Sequence, residues 1–334
     1  MAGSDISYNL RPNKHVERRL FVDLLIMLCN RPKDNYAYIS MGGPQLIDHK
    51  LLHLALGFTK LYSIEADPLV YDRQLFNMHP GCIECHLQSV NEMISNFADI
   101  DEKYPEEDFI IWLDYAAANE RYHQLSEFQS LISTLNSGDL LKITMNVNPT
   151  SLGERLSNQE TSDELQERRF NKIKEQINEY FDDEMFDKSH ITSKEFVNVI
   201  RRSIELAMIK GVRKDLYALN VLTFVYQDGN HKMLNVAYKL FGSQKEIEDT
   251  KASLENNWEF FPSNSEEIHI INIPNLSLKE RLLIDSLIFK KSTDEIHDKI
   301  LPFKFSPDND LSKEILDQYF KHYRRYPNYY DINI

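Results

Sequence analysis

Residues 36–67 read YAYISMGGPQLIDHKLLHLALGFTKLYSIEAD. The first five, Tyr36–Ser40, form an apolar run of strand length, closed by the turn Met41-Gly42-Gly43-Pro44. From Gln45 to Leu56 the leucines at 46, 51, 52, 54 and 56 recur at helical spacing, and Gly57 stands where a left-handed C-terminal cap belongs. Leu61–Ile64 is again strand-like and runs into Glu65-Ala66-Asp67 before Pro68 opens another helix. Strand, helix and strand within about 30 residues make a βαβ unit, whose two strands are parallel.

The alternation continues downstream. A helix to Met78 precedes a strand at Cys82–Leu87, a short helix at Ser89–Phe97 and the apolar strand Asp108–Leu113 (DFIIWL), closed by Asp114. Tyr122–Leu135 is helical, Asn136-Ser137-Gly138 turns the chain, and Leu140–Val147 is a fifth strand. Five strands with four intervening helices specify an α/β fold with a doubly wound, Rossmann-like sheet. Residues 151–215 are charged and helix-forming, with one segment at Glu164–Tyr180 and another from the capping box Thr192-x-x-Glu195 to Gly211. Tyr217–Tyr226 and His231–Leu240 then flank Gln227-Asp228-Gly229-Asn230, whose Asp-Gly signals an antiparallel hairpin. The last ninety residues hold a strand at Ile268–Ile271, a helix from Ser277-x-x-Glu280 and another at Leu311–His322. Upstream, Pro12 opens an amphipathic helix with Val16, Leu20, Phe21, Leu24, Leu25 and Leu28 on one face, ending near Arg31–Pro32. The chain divides into an N-terminal arm and helix (1–35), a Rossmann-like core (36–150), a helical insertion (151–215), a hairpin completing the sheet (216–242) and a mostly helical C-terminal region (243–334).

Composition narrows the class. With 334 residues, 42% hydrophobic and 27% charged, the chain is globular, which excludes wholesale disorder, collagen and coiled coil. Lys and Arg number 38 against 52 Asp and Glu, and the net charge of −14 disfavours non-specific wrapping of nucleic acid. The odd count of three cysteines fits a reducing compartment. The polar N-terminal stretch lacks the apolar run of a signal peptide, and no run approaches the ~18 apolar residues of a membrane span. The expectation is a cytoplasmic protein.

In an open parallel sheet the ligand sits beyond the carboxyl ends of the strands, where the strand order reverses. Gly42 and Gly43 remove Cβ atoms where the backbone turns sharply, and the helix behind them offers unpaired N–H groups to an anion. Glu65 follows Gly43 by 22 residues, the spacing of a carboxylate that accepts two ribose hydroxyls. Singly, each has a plainer reading, as a tight turn without ligand and as a surface carboxylate. In register with the sheet they point to an adenosine-type ligand. Gly-Gly-Pro is not the spaced Gly-x-Gly-x-x-Gly of a dinucleotide site, which sets NAD-dependent oxidoreduction far behind.

Five parallel strands followed by an antiparallel hairpin resemble the class I S-adenosylmethionine-dependent methyltransferases, from about Tyr36 to Phe241. The resemblance implies that Gly42 and Gly43 cradle the methionine portion of S-adenosylmethionine and that Glu65 binds its ribose. It places Leu87-Gln88-Ser89 near the adenine and Asp114-Tyr115 beside the reacting methyl. More narrowly, RPNKHVER (11–18), YISMGG (38–43) with the downstream Asp48, SIEAD (63–67) and IWLDY (111–115) resemble a group of bacterial O-methyltransferase-like proteins. The same resemblance adds Asp48 to the cofactor-binding set, and members of that group often sit beside mobile-element or phage-defence genes. The departures are the missing acid before the glycine turn and the missing second spaced glycine.

The implied activity is methyl transfer to oxygen on a small or nucleotide-like acceptor. The sulfonium is already a good leaving group, so the protein supplies alignment and removal of a proton. Asp114 and Tyr115 are the candidates for that proton. Asp114 closes a buried strand, where desolvation would raise its pKa towards that of a base; its plainer reading is a turn or cap carboxylate. Some catechol-type O-methyltransferases hold a divalent cation here, and Asp114 with Asn146 and Asn148 would form an oxygen set for Mg²⁺, poor in charge. The Asp/Asn-Pro-Pro-aromatic signature of amino-methyltransferases is absent from LDYAAAN (113–119), against DNA base methylation. A reading of a different class stands beside the enzyme: a catalytically inactive Rossmann-like module that binds a nucleotide, a cofactor or a protein partner in a multi-component assembly.

Other motifs have plainer explanations. Cys82-x-x-Cys85-His86 matches a haem-attachment pattern but falls in a strand, where the two thiols would point to opposite faces. His49 and His53, four apart on a helix, lack the glutamate of H-E-x-x-H and read as a helix face. Lys14, Arg18 and Arg19 read as an exposed charged face, as a phosphate or acidic-partner contact, or as part of a segment folded over the cofactor cleft. Lys321–Tyr330 mixes basic and aromatic residues as single-stranded nucleic-acid binders do, the plainer reading being a packed tail or subunit contact. Glu154–Glu184 is polar enough for an arm that meets a protein partner or a second copy, and equally for a solvated insertion.

Overall fold

The structure is a computed structural model and describes residues 11–327. Its strands are β1 (Tyr36–Ser40), β2 (Lys60–Glu65), β3 (Ile83–Leu87), β4 (Asp108–Asp114), β5 (Leu140–Asn146), β6 (Tyr217–Asp228), β7 (His231–Phe241) and β8 (His269–Ile271). They form one eight-stranded sheet in the order β3-β2-β1-β4-β5-β7-β6-β8. The first five are mutually parallel, β7 runs antiparallel to β5 and to β6, and β8 adds parallel to β6. This is the expected doubly wound α/β sheet with its hairpin, and the order reverses between β1 and β4.

β1 and β5 are buried along their whole length, which is why they read as near-continuous apolar runs. Period-two alternation sorts their side chains between two cores. Ala37, Ile39, Ile111, Leu113 and Ile143 face α4 (Val90–Ser95), α5 (Phe97–Lys103), α6 (Arg121–Thr134), α7 (Ser162–Ile177) and α8 (Phe196–Gly211). Tyr36, Tyr38, Ile110, Trp112 and Leu140 face α1 (Pro12–Leu28), α2 (Ile47–Leu56), α9 (Gln244–Asn257), α10 (Leu278–Leu287), α11 (Thr293–Lys299) and α12 (Asn309–His322). α3 (Pro68–Asn77) joins β2 to β3.

The helical insertion is a packed layer. Ile173 and Ile177 of α7 and the apolar stripe of α8 enter the first core. α8 crosses α6 so closely that a Cβ on Gly211 would overlap the Gln129 carbonyl oxygen and stand 3.2 Å from its Cα.

Several local expectations shift. The helix after Ser89 is two helices, because Asn96 leaves helical geometry and serves as the last cap of α4 and the first of α5. Thr192 does accept the Glu195 N–H at 3.1 Å, but α8 begins only at Phe196. In the hairpin Asp228 stays paired with His231, so Gly229-Asn230 make the turn, with Gly229 at φ +60°. Cys82 lies just before β3, so it packs against the same core as Cys85 and does not point to the opposite face. His49 and His53 each bond a backbone carbonyl, of Tyr62 at 3.1 Å and of Phe58 at 2.8 Å, and the buried Nδ1 of His49 has no partner among the described residues. In the basic-aromatic tail, His322 and Tyr326 are buried, and the Tyr326 hydroxyl accepts the Leu276 N–H and donates to the Pro274 carbonyl; residues 328–330 lie outside the described part. No helix among the described residues is long and apolar enough to cross a membrane.

Candidate functional site

Three strand ends carry the expected cofactor residues side by side. Gly42 and Gly43 follow β1, Glu65 ends β2 and Ser89 follows β3, with β1 the strand of the three that borders the reversal of strand order. Gly43 has φ +53°, a conformation that favours glycine. Gly42 is required for packing: a Cβ there would meet Ser63 Oγ and come within 2.5 Å of Leu46 Cδ2. Leu46 precedes α2 in the left-handed region and supplies no side-chain cap, which leaves the first N–H groups of α2 without a side-chain acceptor. The Glu65 carboxylate is half-buried, and one oxygen accepts the Asp67 N–H at 2.9 Å. Burial raises its pKa, and the N–H bonds from Asp67 and Ala66 oppose that shift. The Ser89 hydroxyl is committed to a capping box, accepting from the Glu92 N–H and donating to its carboxylate.

The fourth strand end departs from expectation. Asp114 and Tyr115 point to opposite faces of the sheet, as neighbours on a strand do. Tyr115 packs on the first core and its phenol donates to Glu127 of α6; burial and that carboxylate hold its pKa far above the usual value. Asp114 faces α1, where Lys14 Nζ donates to its Oδ2 at 2.6 Å. Burial alone would raise the Asp114 pKa, as expected, but Lys14 and Arg18 outweigh it and hold the group at about 2. A carboxylate so stabilised is a poor base, and the expected upward shift is corrected.

Lys14 and Arg18 are not an exposed charged face. With Glu17 they occupy the inner side of α1 at i, i+3 and i+4, each buried and each paired with a different element. Lys14 meets Asp114; Glu17 accepts from Lys142 of β5; Arg18 donates through Nε and Nη2 to both oxygens of Asp48 on α2. Asp48, expected with the cofactor set, therefore spends its carboxylate on α1. Asn13 extends the seam: its amide donates to the Gln227 carbonyl at 3.1 Å and accepts the Ile273 N–H at 2.8 Å. Asp228 receives the Asn13 and Lys14 N–H groups. The first turns of α1 are thus tied to the ends of β4 and β6.

Lys142 was not singled out from the sequence, although it is the one charge in the apolar strand LLKITMN. It has no exposed surface, lies 3.2 Å from the Trp112 ring centroid, and is drawn down to about 8 by burial, against the pull of Glu17. Burial pushes Glu17 up while Lys142 opposes it. Arg121 was missed too, and its partners leave no local pattern. Fully buried, it donates to the carbonyls of Ala118 and Asn146, to Gln176 of α7 and to Ser151.

The proposed Mg²⁺ set does not fit a cation. Asp114 holds an ammonium, the Asn146 side-chain oxygen accepts the Asn148 N–H at 3.0 Å, and the Asn148 oxygen accepts the Thr150 N–H at 3.1 Å. No cluster of three or more His, Cys, Asp or Glu suited to a metal occurs among the described residues. At the same end of the sheet, a cavity of about 790 Å³ opens beside β6 and β8, lined by Lys194, Asn198, Tyr226, Gln227, Ile270 and Phe305 among others. Tyr226 links it to the strand ends: its pKa is raised first by burial and then by the nearby Asp114 and Glu17 carboxylates.

A family model described as "Putative O-methyltransferase" matches residues 6–334. No curated protein matches the chain. Among solved structures, an S-adenosylmethionine-dependent methyltransferase from Clostridium acetobutylicum ATCC 824 is 10% identical with TM-score 0.39, over 71% of this chain and 94% of that one. A DUF574 family protein from Streptomyces avermitilis MA-4680 is 10% identical with TM-score 0.37, over 69% and 82%. A single-substitution variant of LepI, solved with SAH and a substrate analogue, is 11% identical with TM-score 0.37; the overlap is 65% of this chain and only 46% of LepI.

Proposed function

The chain belongs to the O-methyltransferase family whose model spans it, with the sheet of the S-adenosylmethionine-dependent class I methyltransferases, and we propose that it methylates an oxygen of a small or nucleotide-like acceptor. The observation that carries the site is the alignment of the Gly42–Gly43 turn with Glu65 on adjacent strand ends, beside the reversal of strand order. The donor set suits S-adenosylmethionine: a half-buried carboxylate for two ribose hydroxyls, and a helix start without a side-chain cap behind a left-handed glycine. When bound, that cofactor supplies a methyl on a sulfonium, a leaving group that needs no acid.

The residues of the chain then do the positioning. Glu65 orients the ribose, the Gly42–Gly43 backbone admits the amino-acid portion, and the segment 87–89 borders the base. Asp114 acts through Lys14 as a positioning residue, holding the first turns of α1 at the strand ends. The acceptor enters from the 790 Å³ cavity, with Tyr226 as its inner wall. The phage-defence setting of similar proteins is the biological context we assign to this activity.

One observation favours the second reading, a binding module without turnover: both carboxylates near the reacting end, Asp48 and Asp114, are neutralised by α1. Calorimetric titration with S-adenosylmethionine and S-adenosylhomocysteine tests the enzyme's site. Glu65→Ala should weaken binding by roughly 1–3 kcal/mol, the scale of hydrogen bonds to a charged group. Unchanged affinity would remove Glu65 from the site. Absence of binding in the wild-type chain would leave the second reading, with a protein partner.

A further inference from the structure

α1 carries a second charged row on its outer side. His15, Arg19 and Asp23 stand there at successive steps of four, and the closing turn Tyr323–Arg325 packs against them. Arg325 Nε donates to Asp23 at 2.7 Å and fixes the two segments together. With Arg324 and Tyr326 they line an open cleft of about 580 Å³. The two basic segments that the sequence set apart, one near each end of the chain, meet in this cleft.

Its charge is out of balance. Arg19, Arg324 and Arg325 face the single carboxylate of Asp23, in a chain whose net charge is −14. Arg19 is exposed and has no hydrogen-bond or carboxylate partner among the described residues. Arg324 is also exposed and lines the cleft; its Nε donates to the neighbouring Tyr323 hydroxyl at 3.0 Å, its guanidinium stands 5.6 Å from the Tyr323 ring centroid, and its Nη groups have no hydrogen-bond partner among the described residues. Guanidinium forks match phosphate oxygens two at a time, and gathering them in one cleft costs self-repulsion that an anion offsets. The inner face of the same helix is, by contrast, fully charge-paired.

We propose that this cleft is a binding site for a diphosphate group, presented as free pyrophosphate or on a nucleoside diphosphate. Two open forks and a third shared with Asp23 suit two phosphates better than one. His15 lines the cleft, so its ring reports occupancy.

The test is calorimetric titration of the full chain with pyrophosphate and with ADP, alongside NMR of the His15 ring. Saturable binding that moves the His15 resonances, and that weakens about tenfold in Arg19→Ala and in Arg324→Ala, is the expected result, equivalent to about 1.4 kcal/mol each. Both side chains are exposed, so the variants fold, and a thermal melt checks it. Arg19→Lys keeps the charge but not the fork and should recover only part of the affinity. Equal affinities for the two ligands identify the phosphates as the whole determinant; tighter ADP binding adds a nucleoside contact. No saturation at millimolar ligand, or binding indifferent to both substitutions, overturns the proposal. So does arginine-dependent binding of a single-stranded RNA oligonucleotide when neither small ligand binds.

Discussion

Lys142 sits in the middle of β5 with its ammonium between the Trp112 ring and the Glu17 carboxylate, and neither charge reaches solvent. Such a pair contributes little over an apolar replacement, yet breaking it leaves a buried charge alone. Lys142→Met should therefore destabilise the chain by about 3–5 kcal/mol, and the double variant with Glu17→Gln should recover most of that loss in denaturant melts. Equal cost in the single and double variants would mean that the two groups are uncoupled. Asp114 makes an acid-range prediction. Its folded pKa of about 2 lies below the ordinary 3.8, so its contribution is complete above about pH 4 and is lost as pH falls towards 2. Asp114→Asn should lack that part of the acid slope. At this scale the sequence was only half legible. Gly42, Gly43 and Glu65 stood out because turn chemistry and spacing are local, whereas Lys14 and Arg18 looked solvated because nothing in a helix pattern reveals a charge's distant partner.

Elements were more legible than residues. β1 and α12 lie within a few residues of expectation because strand and helix periods are local, and Gly57 caps α2 in the left-handed region as its position implied. Boundaries slipped where a side chain found other work: Asp228, taken as part of a turn, stays in the ladder and accepts the first N–H groups of α1. The insertion shows the limit most clearly. Its polar helices look solvated one at a time, yet α8 lies against α6 through Gly211. Gly211→Ala should force that crossing apart at a cost of about 1–3 kcal/mol, while Gly81→Ala, with open space around it, should change stability little. A similar loss in both variants would assign the effect to something other than the close approach.

Across the whole molecule, buried histidines set a pH limit. Burial lowers His49 to about 4, with its Nδ1 left unpartnered, and burial with Arg325 and Lys321 lowers His322 to about 3. Both are neutral in the fold, whereas the unfolded chain takes up protons below about pH 6.5. The contribution of these two histidines should be flat above that pH and fall as pH drops towards 4 and then 3, while buried Asp139, raised by desolvation to about 7, works in the opposite direction over part of that range. His49 alone accounts for a loss on the order of 3 kcal/mol across its window. His49→Gln should flatten the upper part of the slope in thermal melts recorded from pH 7 to 4. An unchanged slope would place the acid sensitivity elsewhere.

The sequence by itself determined the parallel sheet, its hairpin and the strand ends that carry Gly42, Gly43 and Glu65. Each of these follows from periodicity or turn chemistry within a few neighbouring residues, and such patterns are the same whatever the chain later packs against. Only the tertiary structure decided which charges meet. Lys14 and Asp114 are 100 residues apart, Glu17 and Lys142 are 125 apart, and Asp23 and Arg325 are 302 apart. Coulombic attraction depends on distance in space and on the water excluded between the groups, and neither quantity exists until the helices close over the sheet.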